Sequence, residues 1–254
     1  MKTLQSPSLR NVELRDPVFA VRQRTCLDVT IPATIAKLKE DGHIALLKQQ
    51  PKPEGAPDPW CFWDSDVAKV MEGMAYALAL RPDPALEALF DDWSEAFRAV
   101  QRPDGYINSY VTQYEEDRRF VDMARHHELY CIGHLMEAAA AGYGLLGKRT
   151  LFDALCRCGE YLAATFGLGE GQRRGWPGHP EIELALAKMY RLTGRDSFRK
   201  LLAYFINDRG TEPNCFAAEG HGETCWYEQA EKPVREMTAA TGHAVRTVRL
   251  TGED

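Results

Sequence analysis

The 254-residue sequence has no run of about 18 uncharged apolar residues, the length a bilayer-spanning helix needs, so no segment is read as crossing a membrane. It lacks a secretory leader pattern as well, because Met1-Lys2-Thr3-Leu4-Gln5-Ser6-Pro7 has a lysine but no apolar stretch behind it. A cytoplasmic protein is expected. Basic residues form no stripe. With 31 Lys and Arg against 37 Asp and Glu, net charge −6, nothing would track a phosphate backbone, and nucleic acid is not an expected partner. The seven cysteines are odd in number and lie in helical stretches (Cys131, Cys156, Cys158) and loops (Cys61, Cys215, Cys225), which suits reduced thiols better than a disulfide framework. Nowhere do apolar and polar residues alternate long enough to argue for a sheet.

What the sequence does contain is helical periodicity. Val67, Val70, Met71, Met74, Ala75 and Leu78 recur at spacings of three and four, the stripe of an amphipathic helix burying one face. Further helices are predicted over 84–101, 128–146, 149–166, 180–193, 195–208 and 232–250, with a weaker one at 31–49. The class is all-α, read as a single domain over residues 1–254. Tyr143-Gly144-Leu145-Leu146-Gly147-Lys148-Arg149 and Tyr190-Arg191-Leu192-Thr193-Gly194-Arg195-Asp196 each join one helix to the next, with glycine supplying the left-handed residue at the stop. Their spacing suits a series of αα-hairpins. Pro82 and Pro84 mark an earlier turn of the same kind. Arg249-Leu250-Thr251-Gly252-Glu253-Asp254 echoes the second of these connections just where a partner helix should begin, so a truncated or split polypeptide is expected, completed by a second polypeptide or an oligomer.

Long loops at 50–62, 103–114, 167–179 and 210–229 are where binding groups would gather on such a scaffold. Aromatic rings beside hydrogen-bonding side chains, in Trp60-Cys61-Phe62-Trp63-Asp64-Ser65-Asp66 and Gly175-Trp176-Pro177-Gly178-His179, suit a sugar, which has an apolar ring face and many hydroxyls. Asp64 or Asp66 would be a natural N-cap of the helix that follows. In His127-Glu128-Leu129-Tyr130-Cys131 the zinc-protease pattern fails, because Cys131 stands where the second histidine is needed. His127 and His134 still share a helix face, so a metal site with Glu128 and a polar pocket both remain open, and His134 alone also reads as a satisfied core histidine. Glu181 complements the helix dipole or serves the site beside His179. Arg235 and Glu236, with His243 on the same face, read equally as a salt bridge or as ligand groups. No spacing of carboxylates proves the pair that glycoside hydrolysis uses.

Taken in order, five blocks carry a resemblance: residues 62–69, 101–110, 127–134, 175–183, and Pro233-Val234-Arg235-Glu236 through Gly242-His243-Ala244-Val245-Arg246. They resemble the β-L-arabinofuranosidases of glycoside hydrolase family 127. The resemblance implies an α/α toroid, an (α/α)6 barrel, here apparently incomplete with about eight of its helices. It implies a retaining glycosidase acting on terminal β-L-arabinofuranosyl groups of plant-type glycans. It also implies a zinc-held cysteine nucleophile and a glutamate acid/base that lie C-terminal to the last block. No catalytic residue and no metal ligand are therefore expected in this chain, zinc being expected only in the full-length enzyme. His127, His179 and His243 match imidazoles that bind sugar hydroxyls, and Trp63, Asp64 and Trp176 complete the expected substrate-binding set. Residues 207–229 look shorter than the family spacing. The expected function is a glycosidase-like protein, inactive alone, that acts on or binds such groups; the alternative is a non-catalytic carbohydrate-binding or scaffolding helical protein derived from one.

Overall fold

A computed structural model describes residues 9–219. Its elements are helices: α1 (Pro17–Thr25), α2 (Ile31–Glu40), α3 (His43–Leu47), α4 (Trp63–Leu80), α5 (Pro84–Val100), α6 (Ser109–Tyr114), α7 (Glu128–Leu146), α8 (Thr150–Thr165), α9 (Glu181–Thr193), α10 (Asp196–Asp208) and α11 (Cys215–Ala218). The expected helix at 31–49 is divided between α2 and α3 at Gly42, whose φ of 86° breaks the helix. Ahead of α2, a π-helical turn at Cys26–Thr30 joins it to α1. The sequence did not reveal α1, and the reason is physical: it buries no residue and so has no stripe to read. The helix expected at 232–250 lies outside the described residues.

Helix boundaries follow local chemistry. Asp83 caps α5 by accepting from Ala85 N–H at 3.0 Å and Leu86 N–H at 3.1 Å, with Pro84 at the first helical position. Gly147 and Gly194 end α7 and α9 in the left-handed conformation, at φ 73° and 67°. The expected caps of α4 are corrected: Phe62 occupies the N-cap, and neither Asp64 nor Asp66 caps the helix.

Three hairpins, α4–α5, α7–α8 and α9–α10, form two layers of an α/α toroid. In the inner layer α7 packs between α4 and α9; in the outer layer α8 packs between α5 and α10. The outer helices bury one face each, through Phe90, Trp93 and Phe97 on α5, Leu155 and Leu162 on α8, and Phe198 and Phe205 on α10. By contrast α7 is buried on nearly every side, from Leu129 to Gly142. Small residues let its neighbours approach. A Cβ on Gly133 would stand 2.9 Å from Ile182 N and 3.0 Å from Ile182 Cα in the α9 backbone, and one on Gly142 would meet the Phe90 ring at 2.6 Å.

Because the Gly133 contact is with backbone, Gly133→Ala forces α7 and α9 apart and is expected to cost about 1–3 kcal/mol, lowering the melting temperature by several degrees. Gly73 in α4 has nothing within 4 Å of its would-be Cβ, so Gly73→Ala is expected to be neutral or to stabilise by up to about 1 kcal/mol. Thermal unfolding followed by circular dichroism separates the two; equal effects would contradict close approach as the reason for the glycine.

Candidate functional site

The inner helices run parallel, with their N-terminal ends together. Lys69 on α4 lies against Tyr130 on α7, and further along Lys188 of α9 pairs with Glu137 of α7 and stands 3.8 Å from Glu72 of α4. The long loops meet at this end. Phe62 touches His127, Gly178 N–H donates to Met123 O at 3.0 Å, and Arg209 Nη1 donates to Pro177 O at 2.9 Å.

Tyr130 is the hub of the site. Its ring centroid lies 5.5 Å from that of His127, 4.5 Å from that of His134 and 4.5 Å from that of His179, with Lys69 Nζ 4.8 Å above the ring. His127 is the N-cap of α7, Tyr130 lies in its first turn, His134 one turn further on, and His179 in the loop before α9. Burial, with Lys69 and His179 nearby, pushes the His134 imidazole down to about 4, against an opposing pull from Asp66. Its Nδ1 lies 3.2 Å from Glu181 Oε1. This favours the satisfied-histidine reading of His134 and gives Glu181 a partner on the next helix. Burial likewise lowers His179, helped by His127, Lys69 and Arg209. A neutral imidazole offers one donor and one acceptor, which matches a hydroxyl.

His127 sits at φ 56°, with its Nδ1 hydrogen-bonded to the Arg125 carbonyl. That left-handed backbone is uncommon outside glycine and persists only where surroundings fix it. Glu128 does the fixing. Its carboxylate accepts from Tyr106 OH and from Phe120 N–H at 2.6 Å, and Phe120 is itself at φ 55°. Arg119 covers the Tyr106 ring at 4.3 Å. Burial raises the Glu128 carboxyl to about 7, the two hydrogen bonds opposing. Glu128 thus faces the loop below α7 and is bound there, away from the pairing with His127 and His134 that a metal site would use.

The other expected site residues stand behind this surface. Trp63 is buried and stacks on His43, 4.1 Å between ring centroids at 12°, and His43 Nε2 lies 3.4 Å from Asp66. Asp64, 3% exposed, accepts Ser109 N–H at 2.6 Å and anchors the start of α6; burial raises its carboxyl to about 6. Trp176, 1% exposed, packs edge-on against Phe216 with Arg174 over its ring. The structure therefore brings His127 and His179 together and gives Trp63, Asp64 and Trp176 supporting contacts. His243, Arg235 and Glu236 lie outside the described residues. Tyr130 and Lys69 were missed, although Tyr130 falls three after His127 and four before His134, the spacing of one helix face.

The described thiols do not fit a zinc site. Burial pushes Cys61 and Cys215 up to about 11 and Cys158 to about 12, and raises Cys131 and Cys156. Among the described residues no group of three His, Cys, Asp or Glu is placed to hold a metal ion. A cavity of about 730 Å³ lies in the outer layer, between α8 and α10 against Phe166, Leu201 and Tyr204, and contains none of the clustered imidazoles. The convergence of polar groups argues for the Tyr130 cluster as the site. Among the described residues no helix is long and apolar enough to cross a membrane.

Over residues 11–254 the sequence matches the family described as beta-L-arabinofuranosidase, GH127 catalytic domain. It is 39% identical over 204 residues to the non-reducing end beta-L-arabinofuranosidase of Bifidobacterium longum subsp. longum, covering 73% of this chain and 30% of that protein. Among solved structures it is similar to a GH127 beta-L-arabinofuranosidase from Geobacillus stearothermophilus, with a TM-score of 0.78 and 38% identity over 84% of this chain and 35% of that one. A second GH127 beta-arabinofuranosidase gives a TM-score of 0.74 and 28% identity over 80% of this chain and 34% of its own. The chain spans about a third of the length of these relatives.

The Glu128 clamp has a pH signature. A carboxyl raised from 4.5 to about 7 on folding binds more protons in the folded state across that window, so its contribution to stability falls as pH rises from about 4.5 to 7. Asp64 acts in the same sense between 3.8 and about 6, and His134, lowered to about 4, acts in the opposite sense up to 6.5. The difference between wild type and Glu128→Gln isolates the Glu128 part. Urea unfolding at pH 5, 6 and 7 should show wild type losing about 2 kcal/mol of stability relative to Glu128→Gln across that range. A pH-independent difference would remove Glu128 as the titrating group.

Proposed function

The chain belongs to the GH127 β-L-arabinofuranosidase catalytic-domain family, and on that premise we propose that its Tyr130 cluster binds the terminal β-L-arabinofuranosyl group of a plant-type glycan. The observation that supports this most is the gathering of His127 and His179 around one tyrosine ring at the N-terminal ends of three parallel helices. His127 and His179 exchange hydrogen bonds with sugar hydroxyls; Tyr130, contacted by both, fixes their orientation. Trp63, Asp64 and Trp176 act from behind, holding α4, α6 and the 175–179 loop in place. His243, outside the described residues, is assigned to sugar binding on the family resemblance alone.

Binding, rather than bond cleavage, is the part we assign to the described residues. Glu181 is engaged with His134, Asp66 with His43 and Lys69, and Glu72 with Tyr76 and Lys188, while burial makes the thiols of Cys61, Cys131, Cys156, Cys158 and Cys215 harder to ionise. A free carboxylate pair is what glycosidic hydrolysis ordinarily uses. On this reading the nucleophile, its zinc and the acid/base belong to family sequence outside the described residues.

The purified chain should leave p-nitrophenyl β-L-arabinofuranoside intact with or without zinc and thiol reductant, yet bind methyl β-L-arabinofuranoside in a calorimetric titration. His179→Ala should weaken that binding about tenfold or more, equivalent to about 1.4 kcal/mol. Robust turnover by the chain alone would overturn the binding-only assignment, and undiminished affinity in His179→Ala would move the sugar elsewhere.

A further inference from the structure

The backbone of His127 is held by groups set back from the Tyr130 cluster. Tyr106, fully buried, donates its hydroxyl to Glu128 Oε2, while Phe120 N–H donates to Oε1 at 2.6 Å. One carboxylate therefore joins the two left-handed backbones: His127, its chain neighbour, at φ 56°, and Phe120 at φ 55°. The imidazole is fixed as well. Its Nδ1 is hydrogen-bonded to the Arg125 carbonyl, and a carbonyl can only accept, so Nδ1 carries the proton and the neutral ring presents Nε2 as an acceptor.

Tyr106 has its own supports. Its ring packs edge-on against Phe120 and against Tyr161 of α8, with centroids 5.5 and 6.1 Å away. Arg119 lies over the ring, Cζ 4.3 Å from its centroid, and is spread between Asp104 Oδ2 at 2.7 Å and Glu116 Oε1 at 2.9 Å. Asp104 Oδ1 accepts Tyr106 N–H at 3.0 Å, so one side chain holds both the tyrosine backbone and the cation that covers its ring. The turn is pressed onto α8: Gly105 stands at φ 104°, and a Cβ there would lie 2.9 Å from Arg157 O. Gln101 Nε2 donates to Gly105 O at 2.9 Å and to Ala154 O at 2.8 Å, which ties the turn to the same helix. Tyr106 thus links the outer layer to the N-cap of α7.

We propose that Tyr106 and Arg119 are positioning residues which, acting through Glu128, hold His127 with Nδ1–H on the Arg125 carbonyl and Nε2 turned to accept from a ligand hydroxyl. The ligand half of this inference rests on the reading of the Tyr130 cluster given above. Tyr106 is engaged with Glu128, and Arg119 with Asp104 and Glu116, so both act on a ligand by way of the imidazole. The fixed proton also sets what is recognised. A hydroxyl can donate to Nε2; an ether oxygen in the same place cannot.

The test has two readouts: the imidazole nitrogen resonances of the ligand-free chain at about pH 8, where histidines are neutral, and calorimetric titration of methyl β-L-arabinofuranoside. Wild type should show His127, assigned by its loss in His127→Ala, as the Nδ1–H tautomer. Tyr106→Phe removes only the hydroxyl and should admit the Nε2–H tautomer and weaken the sugar about threefold or more. Arg119→Ala should act in the same direction, and Arg119→Lys, which keeps the cation, should recover part of the loss. Phe198→Leu, in the core of the outer layer, should lower the melting temperature with neither readout moved, which separates positioning from stability. Wild-type His127 resonances in both Tyr106→Phe and Arg119→Ala, or an equal change in Phe198→Leu, overturn the positioning role. A sugar that fails to bind wild type, with the His127 resonances responding as expected, overturns the terminal-site reading and leaves Tyr106 and Arg119 as the holders of His127.

Discussion

Everything at the site depends on how α7 is buried. A helix enclosed on nearly all sides has to be apolar almost all round, and the stretch from Leu129 to Gly142 meets that demand with small side chains at its contacts. Gly133 lets the α9 backbone come close, and Gly142 admits the Phe90 ring. At its N-terminal end α7 keeps polar groups within reach of solvent, and there Tyr130 meets imidazoles from its own helix and from the loop before α9. The close packing thus sets the spacing of the polar cluster.

A device recurs at the start of each inner helix. Asp64 on α4, Glu128 on α7 and Glu181 on α9 all sit in the first turn, where an acid usually answers the helix dipole. Each instead turns sideways to hold a neighbour: Asp64 the start of α6, Glu128 the 106–120 loop, Glu181 the His134 ring. Burial makes the first two costly to ionise. What that cost supports is loop position, including the left-handed backbone at His127 and Phe120.

The helices were legible where one face is buried and the other wet, since α5, α8 and α10 write that division into their spacing. A helix without a buried face, such as α1, left no trace, and α6 was hidden in a loop because six residues make too short a period to read. In the site, His127 and His179 were legible through resemblance, and Tyr130 through its place between His127 and His134, although it was not singled out. What spacing could not carry was direction. Trp63 and Trp176 stand among polar residues in the sequence just as sugar-facing rings would, and only the packing of His43 and Phe216 on them discloses that they face inward.

The cluster also draws its members from successive hairpins. In stacked helical hairpins, cohesion resides largely at the seams between neighbours, and terminal units open more readily than central ones. A ligand held between His127 and His179 spans the seam from α7 to α9. Its occupancy would slow amide exchange in α9 and α10 far more than in α5, so a ligand bound there would act as mortar between units of the wall as well as cargo within it.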